Sequence, residues 1–281
     1  MRPRKLCLGS AVVAALWLTS HAQAQSPANF YKGKNVEVYV GYSVGGGYDL
    51  YARMLARHMG KHIPGNPTVL TKNMEGAGSL RLANWLYRVA PKDGTVFGII
   101  GRGTGFDPLL GNKSAQFDAT KFTWIGSANN EVSICVAWHT SGVTNFSELL
   151  TKELVVGGTS ASADTDQFPK IVNGVLGAKF KIVTGYPGSR EITLALERGE
   201  VQGACGIGWT GIEAMHPEWF ARDTIRVLVQ LSTKGHPDLN KRGVPRAADL
   251  ARSDDDRRVI ELVFSQGLYG RPFIMPPGVP A

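Results

Sequence analysis

The chain is poor in cysteine, and its positive charge is not concentrated anywhere. It has three cysteines among 281 residues, which is too few for a disulfide scaffold. No H-E-x-x-H motif suggests a metal centre. The Lys and Arg residues are scattered and do not alternate with aromatics, so nothing points to nucleic acid. We therefore expect neither a metal, a cofactor nor a nucleic-acid partner.

A long apolar run occurs only near the start. Residues 1–5 are basic, 6–18 are apolar, and Ala22-Gln23-Ala24 has the A-x-A form of a cleavage site. The apolar run is shorter than the roughly 20 residues that span a bilayer. The sequence thus predicts a cleavable signal peptide over 1–24 and a mature protein exported to the periplasm. Of the cysteines, Cys135 and Cys205 would remain; a disulfide and two buried thiols are both compatible with the sequence.

The order of predicted elements indicates an α/β protein with two lobes. Strands at 36–41, 67–72 and 95–101 alternate with helices at 48–59 and 79–89. A second β-α series runs from 132 to 205, and a strand at 225–231 is predicted to cross back into the first lobe. The predicted lobes are 25–123 with 226–281, and 124–225, with a hinge and a cleft between them.

The most informative loop joins the first strand to the first long helix. Gly45, Gly46 and Gly47 allow a ligand to approach the backbone closely, and the helix that follows presents free N–H groups. Loops at 75–79, 157–164 and 185–190 repeat this composition of glycine and hydroxyl residues. Together the four loops would line the carboxyl edges of the two sheets, where α/β proteins bind ligands. The pattern predicts a clamp for an anion.

Three catalytic or nucleotide motifs have to be weighed against that interpretation. Residues 41–45 match the G-x-S-x-G nucleophile elbow, so a secreted serine hydrolase that uses Ser43 stays an alternative. The same loop lacks the Lys-Ser/Thr of a nucleotide P-loop. Residues 206–211 fit G-x-G-x-x-G, but no acidic residue ends the next strand to hold a ribose, so a close backbone approach explains these glycines better.

Several segments in order resemble one family. Residues 40–49 followed by Ala52-Arg53 are similar to the strand, P-G-G-G-T-D and A-R pattern of the tripartite tricarboxylate transporter receptors, the TctC or Bug periplasmic binding proteins. Segments 73–78, 90–95, 122–126, 186–189 and 195–201 extend the resemblance over nearly the whole mature chain. It implies a type 2, Venus-flytrap fold in which each lobe is a mixed sheet flanked by helices.

The resemblance also implies a function and a site. The protein would be a monomer without enzymatic activity that captures a small organic carboxylate and delivers it to the permease subunits of a tripartite transporter. An orphan or sensory binding protein is a further alternative. Carried over by position, one jaw has eight residues and the other has four: Tyr42, Ser43, Gly46, Gly47, Tyr48, Asp49, Ala77 and Gly78, and Thr159, Ser160, Tyr186 and Ser189.

Some positions depart from the family pattern. Ser43 and Val44 replace prolines, and Tyr48 replaces a threonine, so a citrate-like ligand becomes doubtful and an aromatic or smaller carboxylate plausible. Asp49 would order the first loop rather than touch an anion, since like charges repel. Relatives continue into a further helix beyond the position of Ala281, which implies a truncated reading frame or a dispensable helix. Loss of that helix would expose apolar surface on the first lobe.

Overall fold

The computed structural model describes residues 26–280, and the predicted signal peptide lies outside these described residues. The described strands form two sheets of five strands each. In chain order they are β1 (Asn35–Val40), β2 (Thr68–Asn73), β3 (Val96–Ile99), β4 (Thr123–Ser127), β5 (Ser133–Trp138), β6 (Leu154–Gly157), β7 (Phe180–Val183), β8 (Gly203–Gly208), β9 (Ile225–Leu231) and β10 (Pro272–Met275).

Helices flank both sheets. The α-helices are α1 (Pro27–Tyr31), α2 (Gly47–Met59), α3 (Leu80–Arg88), α4 (Asp164–Leu176), α5 (Ser189–Glu197), α6 (Trp209–Met215), α7 (Pro217–Ala221), α8 (Pro237–Lys241) and α9 (Asp254–Phe264). Short 3-10 turns lie between several of these elements. Among residues 26–280, none of the helices has both the length and the apolar character needed to cross a membrane.

The first sheet has the strand order β2-β1-β3-β10-β4. Strand β1 runs parallel to β2 and β3, and β10 is inserted antiparallel between β3 and β4. Apolar residues recur at every second position of β1, and Val36, Val38 and Val40 are all buried. They pack with Ala52 of α2, while Leu82 and Leu86 of α3 belong to the core on the other side of the first lobe.

The second sheet has the order β7-β6-β8-β5-β9. Strand β6 is parallel to β7 and β8, and β5 is antiparallel to β8 and β9. Cys135 of β5 lies directly opposite Cys205 of β8, and a disulfide joins them. Both cysteines are completely buried in the core of this lobe. Each sheet thus mixes parallel and antiparallel strands, which confirms the predicted two-lobed α/β fold.

One strand was predicted in the wrong sheet. Strand β9, at 225–231, does not cross back into the first lobe; it pairs antiparallel with β5 at the edge of the second sheet. The reason is its apolar content, because Leu228, Val229 and Leu231 complete the core of the second lobe. The return to the first sheet comes later, at β10. Strand β4, which overlaps the predicted start of the second lobe at 124, also belongs to the first sheet.

Two chain segments cross between the sheets. Residues 128–132 lead from β4 to β5, and residues 265–271 lead from α9 to β10. The segments are bonded to each other: Ala128 donates its backbone N–H to the Arg271 carbonyl at 3.1 Å, and Glu131 donates to the Gly267 carbonyl at 2.8 Å. This pair of crossings forms the floor of the cleft between the lobes.

Candidate functional site

The cleft between the lobes contains a small cavity of about 40 Å³. That volume holds only a few water molecules, so a larger ligand enters when the lobes move apart. The walls come from the loops that follow β1, β3, β6, β7 and β8, together with the residue that precedes β10. Parallel strands bring their carboxyl ends to one edge of a sheet, which explains why loops distant in sequence meet here.

Helix α2 begins at the cavity wall. Gly45 has a φ of +85°, a conformation that suits glycine, and its N–H donates to Asp49 Oδ2 at 2.8 Å. Asp49 is buried and also accepts hydrogen bonds from Arg53 and Asn73. Burial acts to raise the pKa of Asp49, but these hydrogen bonds outweigh it and hold the pKa below its ordinary value. Asp49 therefore orders the loop from within.

The start of α2 faces the start of α5 in the other lobe. Gly47 donates its N–H to the hydroxyl of Ser189 at 3.3 Å, and both residues line the cavity. The N-terminal ends of two helices of 13 and 9 residues thus approach one site from opposite sides. Such ends carry partial positive charge and free N–H donors, so the arrangement favours an anion.

Two tyrosines stack along the first-lobe wall. The rings of Tyr42 and Tyr48 are 4.6 Å apart and nearly parallel. The Tyr42 hydroxyl donates to the Gly78 carbonyl, and the Tyr48 hydroxyl accepts the backbone N–H of Arg102 at 3.0 Å. Burial, followed by the nearby Tyr48, raises the pKa of Tyr42 well above its ordinary value, so its hydroxyl stays neutral. The two rings form an aromatic wall, and both hydroxyls are hydrogen-bonded to the backbone.

A buried ion pair joins the two lobes. Arg102, from the loop after β3, lies 2.9 Å from Asp164 at the start of α4, and both side chains are more than nine-tenths buried. The guanidinium also donates to Ser133 of the second sheet. Burial disfavours the charged form, yet the Tyr48 hydroxyl and the Asp164 carboxylate raise the pKa of Arg102 above its ordinary value. Arg102 is therefore a permanent cation inside the cleft.

A second buried pair lies on the crossing segments. Arg271 Nη2 contacts Glu131 Oε2 at 2.9 Å, and both side chains are almost fully buried. Glu131 also accepts hydrogen bonds from the N–H and hydroxyl of Thr210. Burial acts to raise the pKa of Glu131, but the neighbouring arginines outweigh it and hold the pKa below its ordinary value. The Arg271 guanidinium lies over the Tyr48 ring, 4.5 Å from its centroid, and lines the cavity.

The structure brings half of the predicted ligand-binding residues to the cavity and leaves the other half away from it. The residues on the wall are Tyr42, Gly46, Gly47, Tyr48, Thr159 and Ser189. The residues elsewhere are Ser43, Asp49, Ala77, Gly78, Ser160 and Tyr186.

The residues away from the cavity mostly make contacts between the lobes. Ala77 accepts a hydrogen bond from Ser162 of the second lobe at 3.0 Å. Gly78 packs against the same loop, because a Cβ built on it would lie 2.9 Å from the Cβ of Ala163. Tyr186 packs in the core of the second lobe. These positions fix how the lobes meet, whereas the wall residues face the cavity.

Sequence reasoning missed the charged wall residues. Arg102 is the third residue after β3, so the rule that ligands bind at the carboxyl edge could have found it. Asp164 occupies the first turn of α4, with Ala163 as the cap. Arg271 carried no local signal, because it reaches the cavity only through the antiparallel insertion of β10. The apolar wall residues Ile207 and Ile212 likewise follow from tertiary structure.

The serine of the elbow motif has no histidine partner in the part of the chain that the structure describes. Ser43 donates its hydroxyl to Glu191 of α5 at 2.6 Å, a bond between the lobes. A nucleophilic serine needs an adjacent general base that is held by a third group. A lone carboxylate that accepts a hydrogen bond from the serine hydroxyl is not such an arrangement. The contact instead joins the loop after β1 to the second lobe.

Comparisons with known proteins give similar solved structures. The periplasmic binding protein BugD superposes with a TM-score of 0.71 at 19% identity, over 89% of this chain and 79% of that one. MatC from Rhodopseudomonas palustris with bound malate gives 0.68 at 20%, over 88% and 80%. Rpa4515 of R. palustris with adipate gives 0.67 at 18%, over 89% and 79%. No family model and no curated protein matches the chain. The chain therefore has the fold of these periplasmic binding proteins.

Proposed function

We propose that this protein is a periplasmic solute-binding protein of the TctC or Bug type that captures a small carboxylate between its lobes. The observation that carries the proposal is the direct contact of Gly47 at the start of α2 with Ser189 at the start of α5, beside a cavity that two buried arginines line. Helix N-termini and guanidinium groups are the two protein features that best hold a carboxylate. Proteins of the same fold, MatC and Rpa4515, have structures with malate and adipate.

The mechanism is closure about the crossing segments. A ligand that touches both lobes stabilises the closed state by the contacts that only this state allows. Interlobe hydrogen bonds such as Ser43 to Glu191 and Gly47 to Ser189 add to that stabilisation. The permease subunits of a tripartite tricarboxylate transporter would then recognise the closed shape and receive the solute. No bond of the solute is made or broken in this cycle.

A thermal-shift screen of the mature chain tests the proposal. The panel contains mono-, di- and tricarboxylates and aromatic acids, each at pH 7.5, with amines and neutral sugars as controls. A ligand at a hundred times its Kd stabilises the folded state by about 2.7 kcal/mol, which is a shift of several degrees for a small domain. We expect at least one acid to raise the transition and no control to do so. A cooperative transition that no acid moves would contradict the proposal.

A further inference from the structure

The charges of the cleft are already largely paired within the protein. Arg102 has Asp164 as its partner, and Arg271 has Glu131. The four groups therefore sum to no net charge, and all of them are more than nine-tenths buried. A ligand with two carboxylates would place two uncompensated negative charges in this low-dielectric space. The number of donors still unused decides how many carboxylates the site can hold.

One donor group is left on the side of the crossing segments. Arg271 donates from Nη1 to the Gly270 carbonyl and pairs through Nη2 with Glu131, but its Nε has no hydrogen-bond partner among residues 26–280. The guanidinium is adjacent to the start of α2, since a Cβ on Gly47 would lie 3.1 Å from Nη2. A buried donor without a partner is costly, and a ligand oxygen removes that cost. This corner of the cavity is a subsite for one carboxylate.

The opposite jaw is occupied by the protein's own acids. Asp164 and Asp166 lie in the first turn of α4, and Asp166 Oδ2 accepts the Ser160 N–H at 3.0 Å. Asp164 lines the cavity and neutralises Arg102. A second ligand carboxylate at this jaw would meet Asp164 at close range, and like charges repel strongly where water is scarce. The start of α4 is therefore closed to an anion.

The part of the wall that β8 and α6 form is apolar, whereas Thr159, Thr165 and Ser189 contribute hydroxyls elsewhere. Ile207 at the end of β8 and Ile212 and Met215 of α6 line the cavity, and glycines at 206, 208 and 211 bring the backbone close between them. None of these side chains carries a charge or a strong hydrogen-bonding group. They suit a hydrocarbon chain or ring and offer nothing to a second carboxylate.

We infer that the cleft selects a monocarboxylate with an apolar tail and discriminates against dicarboxylates. Arg271 and the start of α2 hold the acid group, the tail lies against Ile207, Ile212 and Met215, and Asp164 excludes a second carboxylate. This inference rests on the proposed function and narrows its ligand class. It separates this chain from MatC and Rpa4515, whose structures contain malate and adipate.

Calorimetric titration with matched acids tests the inference. The pairs are butyrate with succinate, hexanoate with adipate, and benzoate with benzene-1,4-dicarboxylate, all at pH 7.5, where every carboxyl is ionised. We expect the monoacid of at least one pair to bind at least about tenfold more tightly than its diacid. Diacids that bind as tightly as their monoacids, or more tightly, would overturn this inference and leave the proposed function intact. A folded protein that binds none of the six would overturn this inference, and the wider thermal-shift panel then decides the proposed function.

Two variants identify the residues responsible. Asp164→Asn removes the repelling charge and leaves Arg102 without its ionic partner, so diacid affinity rises at least about tenfold while monoacid affinity changes less, and the unfolding transition verifies that the variant is folded. Asp166→Asn makes the same change of charge in the same helical turn, outside the cavity wall, and is the matched control: the ratio between monoacid and diacid stays as in the wild type. An unchanged ratio in Asp164→Asn would contradict the exclusion role.

A test of whether Arg271 binds the acid group needs a variant that does not leave Glu131 as a buried, unpaired charge. The double variant Arg271→Gln with Glu131→Gln replaces the ion pair by a neutral hydrogen-bonding pair and leaves no lone buried charge. Monoacid affinity then falls at least about tenfold, the loss expected when a charged hydrogen bond is removed. Circular dichroism and the unfolding transition verify that the variant is folded. Wild-type affinity in a folded double variant would overturn the assignment of Arg271.

Discussion

At the scale of single residues, a glycine loop is easier to predict than a charged side chain that reaches the site from a distant part of the sequence. Gly46 and Gly47 were found because a strand, a glycine run and a helix start follow one another within one segment. Arg271 was not, because its approach to α2 depends on where β10 pairs. Nothing within the sequence around Arg271 distinguishes it from an exposed arginine. Local pattern therefore predicts a backbone anion site, while the buried ion pairs require the complete fold.

The Ser43 contact gives a prediction about reactivity. Its hydroxyl donates to the Glu191 carboxylate, and no imidazole of residues 26–280 activates it, so a fluorophosphonate probe should not label the mature protein. An established serine hydrolase in the same reaction is the positive control. Labelling of the wild type that Ser43→Ala abolishes would contradict the binding-protein account and restore the hydrolase alternative.

Asp107 gives a prediction about pH. It is almost fully buried; one oxygen accepts a hydrogen bond from Asn112, and the other has no partner within the described part of the chain. Burial raises the pKa of Asp107 to about 6. The folded state therefore binds this proton more tightly than the unfolded state, whose carboxyl titrates near pH 4. Stability contributed by the protonated form is present below about pH 4 and is lost as the pH rises to about 6.

The variant Asp107→Asn should remove that loss. At pH 7.5 we expect urea unfolding to require about 1 to 3 kcal/mol more than in the wild type, and at pH 4 to be little changed. Asp255→Asn, at an exposed acid of α9, is the control, with an effect of about 0.5 kcal/mol or less at both values. A gain of equal size at both pH values, or none at pH 7.5, would show that Asp107 is not a buried charge.

At the scale of elements, the sequence predicted most strands but not all of their partners. The bounds of β9 agree with the predicted range of 225–231. Apolar periodicity identifies a strand, yet it does not say which sheet receives it, and β9 was assigned to the wrong lobe for that reason. Strand β10 was not predicted at all. It has four residues and its burial comes from its neighbours in the first sheet, so its own pattern is short.

The disulfide between β5 and β8 leads to a prediction for the second sheet. Cys135 and Cys205 are 70 residues apart in sequence, and a cross-link that closes a loop of this length stabilises the fold by about 4 kcal/mol in the chain-entropy model. The double variant Cys135→Ala with Cys205→Ala, or reduction of the wild type, should lower the free energy of unfolding by about this amount. Urea titrations with and without reductant measure the difference.

A thiol count verifies that the loss comes from the bond. Unfolded protein that has not been reduced should show no reactive thiol from these two positions, and after reduction it should show two. Two thiols before reduction would mean that Cys135 and Cys205 are free. The double variant, which has nothing to reduce, should unfold at the same urea concentration in both conditions.

At the scale of the whole molecule, the account depends on lobes that close against each other. Gly78 of the first lobe has a φ of +62°, and a Cβ added there would lie 2.9 Å from the Cβ of Ala163 in the second. Gly142 has a φ of +74° with nothing within 4 Å of the added atom. Alanine at either site carries a backbone strain of about 1 kcal/mol. Of the two substitutions, only Gly78→Ala also obstructs closure of the lobes, because its Cβ meets Ala163.

The pair of variants therefore separates strain from closure. Gly78→Ala and Gly142→Ala should lose similar stability in urea, while only Gly78→Ala should weaken binding of the best acid, by at least about tenfold. Calorimetric titration of both variants with the same acid measures this. Equal affinity in the two variants would mean that the contact of Gly78 with Ala163 is not needed for the bound state.

The most direct test of the central claim is a crystal structure of the mature protein with the acid that binds best. We expect one carboxylate beside the start of α2, with an oxygen within about 3 Å of the Arg271 guanidinium. We also expect a closed cleft in which Arg102 still contacts Asp164. A carboxylate bound outside the cleft, or bound inside it without contact to either helix start or to Arg271, would contradict the account.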